Sequence, residues 1–301
     1  MRRRLFIGGL AAAAAAGVAG VAAGVAALWP RPLPATPPLA PPGGPLATYH
    51  LGHSLVGRDM PAMLAQLAGH RFASQLGWGS SLRDHAKGTV AGFATENAHT
   101  DHAPATAALA SGRFDAVVMT EMVELRDAIR YHDSARWLGH WAGLAATANR
   151  SARLYLYETW HPLDDPAGWL TRIDGDLQSL WLDQVLTPAM RRSGRPIYLI
   201  PAGPVLAAVT RAAESGKLPG LTDRRALFTD NIHLNDTGHY LIALAHYATI
   251  YQRDPTGLPH DLTRASGTPA TPIAPPTARA LQELVWQTVP RYAATGMMRG
   301  A

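Results

Sequence analysis

The 301-residue chain contains no cysteine. Disulfides, thiolate catalysis and cysteine-ligated metals are thereby excluded, and the fold must rely on its core. Net charge is also in short supply. The formal charge is +5, and setting aside Arg2, Arg3 and Arg4 leaves only +2 for the remainder, which gives no argument for nucleic acid. Internal repeats are missing, which sets aside repeat architectures. Convergent metal ligands are missing as well. The stretch His99-Thr100-Asp101-His102 and the series Asp230, His233, Asp236, His239 are the richest in ligand types. The latter's three-residue steps drift around a helix by about 60° each, so the side chains do not meet.

What is present begins with a leader. Residues 1–29 carry Arg2, Arg3 and Arg4 followed by an uncharged run of Ala, Gly, Val and Leu, with no amphipathic face to bury. Arg3-Arg4-Leu5-Phe6-Ile7 resembles the twin-arginine export pattern, and Val25-Ala26-Ala27 offers a small-residue cleavage site. A run of about twenty uncharged residues is also long enough for an uncleaved membrane anchor. Both readings place the remainder outside the cytoplasmic face: periplasmic, extracellular or tethered, with membrane contact only through this segment. Residues 30–45 are Pro-rich and nearly uncharged, as expected of an extended tether. Residues 46–301 are then long enough for one α/β domain with an ample core.

Within that domain, short apolar runs at 46–51, 71–76, 115–120, 153–158 and 196–200 predict strands. Helical patterns separate them at 61–67, 103–110 and 134–148, and a fourth opens at Asp165-Pro166 and buries Trp169, Leu170, Ile173, Leu177, Leu180 and Trp181. Such alternation predicts a three-layer, flavodoxin-like α/β sandwich around a five-stranded parallel sheet. A last helix is expected at 277–289.

The first predicted strand ends at Gly52-His53-Ser54-Leu55. A serine there leaves the sheet at the carboxyl end of a strand, where open α/β sheets keep their ligand crevice, and the glycine relieves crowding in the turn. Ser54 is therefore a candidate nucleophile. A hydroxyl needs an imidazole to take its proton and a carboxylate to fix the tautomer. Far along the chain, Asp230-Asn231-Ile232-His233 offers both within one turn, just before a helix that Asn235 or Asp236 can cap.

These two motifs, in this order, resemble those of the SGNH/GDSL hydrolases, and Leu76-Gly77-Trp78-Gly79-Ser80-Ser81 resembles the glycine-bearing turn after that family's second strand. The resemblance spans most of residues 46–253. It implies a serine esterase of the same α/β fold, with catalytic Ser54, His233 and Asp230 and no cofactor. It also implies an oxyanion hole built from the N–H groups of Ser54 and Gly79. Glu121 departs from the pattern, standing after the third strand where the family commonly places an asparagine that donates to the oxyanion. Three situations are open: burial keeps Glu121 protonated so that it donates, it turns away and pairs with an arginine such as Arg126, or the site is inactive.

Trp160 and His161 follow the fourth strand on the expected active face. They are candidates for a substrate groove, since an indole face suits a sugar ring, or equally for closing the core. The reading is a hydrolase of small-molecule or glycan acyl esters. Its rivals are an O-acyltransferase with the same triad and a non-catalytic glycan-binding protein on the same fold.

Overall fold

The computed structural model describes residues 36–297; the leader, with its export and anchor readings, and the start of the Pro-rich segment lie outside them. Five parallel strands form one sheet: β1 (Ala47–Leu51), β2 (Arg71–Gln75), β3 (Ala116–Met119), β4 (Arg153–Glu158) and β5 (Tyr198–Pro201). Their spatial order is β2-β1-β3-β4-β5, the flavodoxin-like arrangement, which reverses direction between β1 and β3. Tyr49 stands opposite Ala73 on one side and Val117 on the other, which fixes the register of the central strands. The strand bounds agree with the apolar runs to within two residues.

The chain is buried on both sides of the sheet because alternate strand residues face opposite ways and both sets are apolar. Val118, Tyr155, Tyr157 and Ile200 pack on one side against Met60, Leu64, Val205, Leu241 and Leu281. These come from α1 (Asp59–Ala68) and from the later helices Ala202–Glu214, Asp236–Tyr251 and Pro275–Thr288. On the other side Tyr49, Leu51, Val117, Met119 and Leu156 pack against Leu82, Leu109, Leu138, Trp141 and Val185. Three of the helices there are α2 (Leu82–Lys87), α4 (Ala105–Ala110) and α6 (Ser134–Ala148), with the short α3 (Phe93–Glu96) and α5 (Leu125–His132) between them in sequence. Among the described residues, no helix is long and apolar enough to cross a membrane.

Two local expectations change. The fourth crossover does not begin at Asp165-Pro166: the helix α7 spans Trp169–Asp176 and follows Gly168 at φ +88°. Asp165 closes a turn instead, accepting from Ala167 N at 2.9 Å and from Arg172 Nη1 at 2.8 Å. A capping residue needs its oxygen free for the first helical N–H groups, and here a buried guanidinium claims it. The described part of the Pro-rich segment has no helix or strand, yet it lies against the domain. Pro37, Ala40 and Pro42 accept from Tyr198, Arg153 and Arg253 side chains.

Gly52, just past β1, is a tightly packed point of this edge of the sheet. A methyl group there would come within 2.5 Å of Thr120 Cγ2 and 2.8 Å of Val56 Cγ2. Gly52→Ala is expected to lower stability by about 1–3 kcal/mol through overpacking, read as a lower urea midpoint at unchanged m-value.

Candidate active site

Every strand points its carboxyl end to the same edge of the sheet, and Ser54 emerges there at the point where strand order reverses. The turn that carries it is fixed from several directions. Buried His53 donates through Nε2–H to the Glu121 carbonyl at 2.8 Å, and its own carbonyl accepts from Val56 N at 2.9 Å. His85 of α2 donates through Nε2–H to the Gly52 carbonyl at 2.9 Å and takes a bond on Nδ1 from the Gln75 amide at 2.8 Å. The Tyr157 hydroxyl donates to the Leu55 carbonyl at 3.1 Å. Burial lowers the pKa of His53 and of His85 to about 4, so both rings are neutral at neutral pH and each keeps a single tautomer.

His233 reaches Ser54 from the far end of the domain. Its Nε2 lies 3.0 Å from Ser54 Oγ, and its Nδ1 lies 2.8 Å from Asp230 Oδ2. Because a carboxylate only accepts, the ring proton sits on Nδ1, which leaves Nε2 as the acceptor for the serine hydroxyl. Asp230 Oδ1 takes the backbone N–H groups of His233 at 2.7 Å and Ile232 at 2.8 Å. Those two bonds hold its carboxyl at about 2, so it stays ionised across the neutral range. Asn235, not Asp236, caps the following helix by accepting from Gly238 N at 3.1 Å. Asp236 is engaged by Arg264 and Thr271.

Among the described residues, the backbone N–H groups of Ser54 and Gly79 donate to no protein group. Gly79 has φ +53°, in the left-handed region, and a side chain built there would meet nothing within 4 Å. Asn97, whose amide is the right chemistry for a third donor, is buried and fully used by Leu76 and Phe93.

The Glu121 side chain departs from the expectation of an oxyanion donor. It has no exposed surface and does not line the cavity beside Ser54. Oε1 accepts from Met122 N at 2.9 Å and from Leu82 N at 3.2 Å, where α2 begins. Oε2 and the Ser134 hydroxyl are both sealed from solvent without a bond of normal geometry, although the hydroxyl is close enough to act on the carboxyl's charge. Burial pushes this carboxyl up to about 7. The pairing with Arg126 does not form either, since Arg126 bonds Asp176 at 3.0 Å.

Trp160 and His161 do not line a groove. Both are buried. Trp160 donates from Nε1 to the Ile232 carbonyl at 2.8 Å, inside the Asp230–His233 turn, and its ring packs edge-on against Phe228. His161 Nε2 lies 3.3 Å from Asp176 Oδ2. Among the described residues, Glu124, His161 and Asp165 form the group whose ligand atoms lie close enough together to hold a metal, all within 4.8 Å. The guanidinium of Arg172 already bonds both of those carboxylates, so the group's negative charge has a resident counter-ion.

The cavity that opens beside Ser54 and His233 has a volume of about 610 Å³. Arg58, Asp59, Glu96, His99, Asp101 and His239 contribute to its wall, with Phe72 as its largest apolar residue. Glu96 accepts from the indole N–H of Trp78 at 2.7 Å, which fixes a ring that is 54% exposed next to Gly79. The wall residues come from segments far apart in the chain, β2 among them, and only His99, Asp101 and His239 fall in stretches the sequence marks as ligand-rich runs, not as a substrate wall.

No family model and no curated protein matches the chain. Among the solved structures that resemble it in part are two. One is a candidate GDSL-like lipase from Parabacteroides merdae, 13% identical, covering 68% of this chain and 94% of that one at a TM-score of 0.40. The other is a gut microbial diltiazem-metabolizing enzyme, 12% identical, covering 69% of this chain at a TM-score of 0.36. The match spans about half of that enzyme, 47% of its length.

The raised Glu121 carboxyl has a signed effect on stability. Unfolded, the group ionises from about 4.5 upward, whereas folded it keeps its proton to about 7, so stability falls as pH rises through this interval and levels off above it. Glu121→Gln removes that loss, and the variant is expected to gain up to about 3 kcal/mol over the wild type at pH 8 relative to their difference at pH 4. Urea unfolding of both proteins at the two pH values measures it, and a pH-independent difference contradicts it.

Proposed function

We propose that the protein is a serine hydrolase that cleaves acyl esters. The observation that carries this reading is the continuous hydrogen-bonded series from Ser54 Oγ through His233 to Asp230 at the mouth of a polar cavity. His233 Nε2 takes the Ser54 proton as Oγ attacks the ester carbonyl, and the charge that develops on the carbonyl oxygen is met by the N–H groups of Ser54 and Gly79. His233 returns the proton to the departing alcohol. Water, deprotonated by the same nitrogen, then releases the acid from Ser54. Asp230 stays ionised and steadies the imidazolium in both halves of the cycle. Residues of this chain supply every group the sequence needs, and neither metal nor other cofactor is invoked.

The wall of the cavity narrows the substrate. A long acyl chain laid there would desolvate carboxylates, histidines and guanidinium groups without bonding them, at about 1–3 kcal/mol for each group left unpaired. A short acyl group on a polar, polyhydroxylated alcohol suits the same wall, since hydroxyls satisfy donors and acceptors alike. The fixed, exposed face of Trp78 offers a stacking surface for a sugar ring, which buried Trp160 does not. We further propose that the protein acts outside the cytoplasm, on the strength of its arginine-led apolar leader.

Ser54→Ala and His233→Ala are each expected to reduce the turnover of p-nitrophenyl acetate by about a thousandfold or more, without additive loss in the double variant. Full activity in Ser54→Ala ends this reading. p-Nitrophenyl acetate is expected to be at least about tenfold better in kcat/KM than the decanoate, because its acyl group leaves the polar wall solvated. A preference for decanoate contradicts the proposed substrate class, and loss of activity in EDTA that zinc restores contradicts the metal-free mechanism.

A further inference from the structure

Asp230 and His233 sit on a turn, not on a helix or strand, and their side chains are 55% and 44% exposed. Something must hold so open a segment in register with Ser54. Inside the turn, Thr229 N donates to the His233 carbonyl at 2.9 Å, and Phe228 pairs with Leu234. Apart from the Ser54 contact, the hydrogen bonds that reach residues 230–233 from elsewhere in the described chain come from one loop. Trp160 Nε1 donates to the Ile232 carbonyl at 2.8 Å, Leu163 N donates to the Asn231 carbonyl at 2.8 Å, and Asp164 accepts from the Asn231 side chain.

That loop follows β4 and has no regular structure, so its own position needs an anchor. Asp165 N donates back to the Pro162 carbonyl at 3.0 Å, which closes the loop on itself, and the Asp165 carboxylate bonds Arg172 at 2.8 Å. Arg172 is 96% buried on α7. Its guanidinium meets Glu124 with two bonds of 2.6 and 2.8 Å and Asp176 at 2.7 Å, so it ties the loop both to the segment after β3 and to α7. The Arg172 bonds hold the Glu124 carboxyl at about 2, so the pairing is ionic throughout the neutral range. A planar fork that engages three carboxylates at once is replaced only in part by a point charge, which keeps the attraction without the geometry, and not at all by an apolar side chain.

We infer that Arg172 is a positioning residue for catalysis: through Asp165 it fixes the loop of residues 160–165, and that loop holds the Asp230–His233 turn against Ser54. The inference rests on the serine-hydrolase reading. It assigns to a residue that touches neither substrate nor reacting atoms a control over the His233–Ser54 distance, where a displacement of about 1 Å costs on the order of a hundredfold in rate. Substrate binding is untouched, because neither Arg172 nor the loop it anchors contributes to the wall of the cavity beside Ser54.

The experiment measures kcat and KM of the full-length protein for p-nitrophenyl acetate in Arg172→Gln, Arg172→Lys and Asp165→Asn, alongside thermal unfolding. Arg172→Gln is expected to lower kcat about thirtyfold to a hundredfold with KM within twofold. Asp165→Asn should lower it by about tenfold, and the double variant should fall no further than Arg172→Gln alone, since both act through one contact. Arg172→Lys should recover part of the rate. Should Arg172→Gln fail to fold, Asp165→Asn, which keeps the Glu124 and Asp176 pairs, decides the question by the same split. A folded Arg172→Gln or Asp165→Asn variant with wild-type kcat overturns the inference, as does a loss confined to KM. Ser54→Ala separates the two readings: if it keeps full activity the serine mechanism fails, whereas if it is inactive and the Arg172 and Asp165 variants are not slowed, only the positioning role fails.

Discussion

A turn leaving a buried strand must satisfy its peptide groups where water does not reach, and after β1 that requirement is met by neutral imidazoles. His53 secures the Glu121 carbonyl, and His85 secures the Gly52 carbonyl. The two bonds fasten the Ser54 turn to the end of β3 and to α2. Charging either ring would put an ion in a site without solvent, and the low pKa of each records how strongly burial opposes it. The position of Ser54 is thus a consequence of polar satisfaction in the interior as much as of any property of the serine.

Glu121 belongs to the same arrangement. Where a donor to the oxyanion was sought, the chain has an acceptor turned inward, and it takes up Leu82 N at the start of α2. Its backbone carbonyl serves His53 while its side chain serves α2, so one residue couples the nucleophile turn to the helix that follows the Gly79 loop. The proposed oxyanion hole of two backbone donors, Ser54 and Gly79, is consistent with this division of labour.

The partner of Ser54 is held differently. The Asp230–His233 turn is open to solvent on one face and fastened on the other by the Trp160–Asp164 loop, which a buried guanidinium anchors. A buried cation meeting three carboxylates is costly to assemble and hard to rearrange, since removing one partner leaves an uncompensated charge. Such a cluster contributes little net stability for its complexity, and its value lies in fixing geometry.

The sequence by itself determined the sheet and the catalytic candidates. Alternating apolar runs and helical spacing specify five strands and their crossovers because burial on both faces selects for them locally. Gly52-His53-Ser54 and Asp230 to His233 are legible because their chemistry requires neighbours a few residues apart. Only the tertiary structure decided what Glu121, Trp160, His161 and Asp165 do. Trp160 reads from its place after β4 either as a groove platform or as part of the core, and packing buries it under the Asp230–His233 turn. Asp165 reads as a helix cap until Arg172, seven residues on, claims its carboxylate. The cavity wall, drawn from residues between 54 and 266, does not show in the sequence as one site. The physical reason is common to these cases: propensity and spacing act over one or two turns of chain, whereas burial and the partner of a charge are settled by segments that meet only when the domain closes.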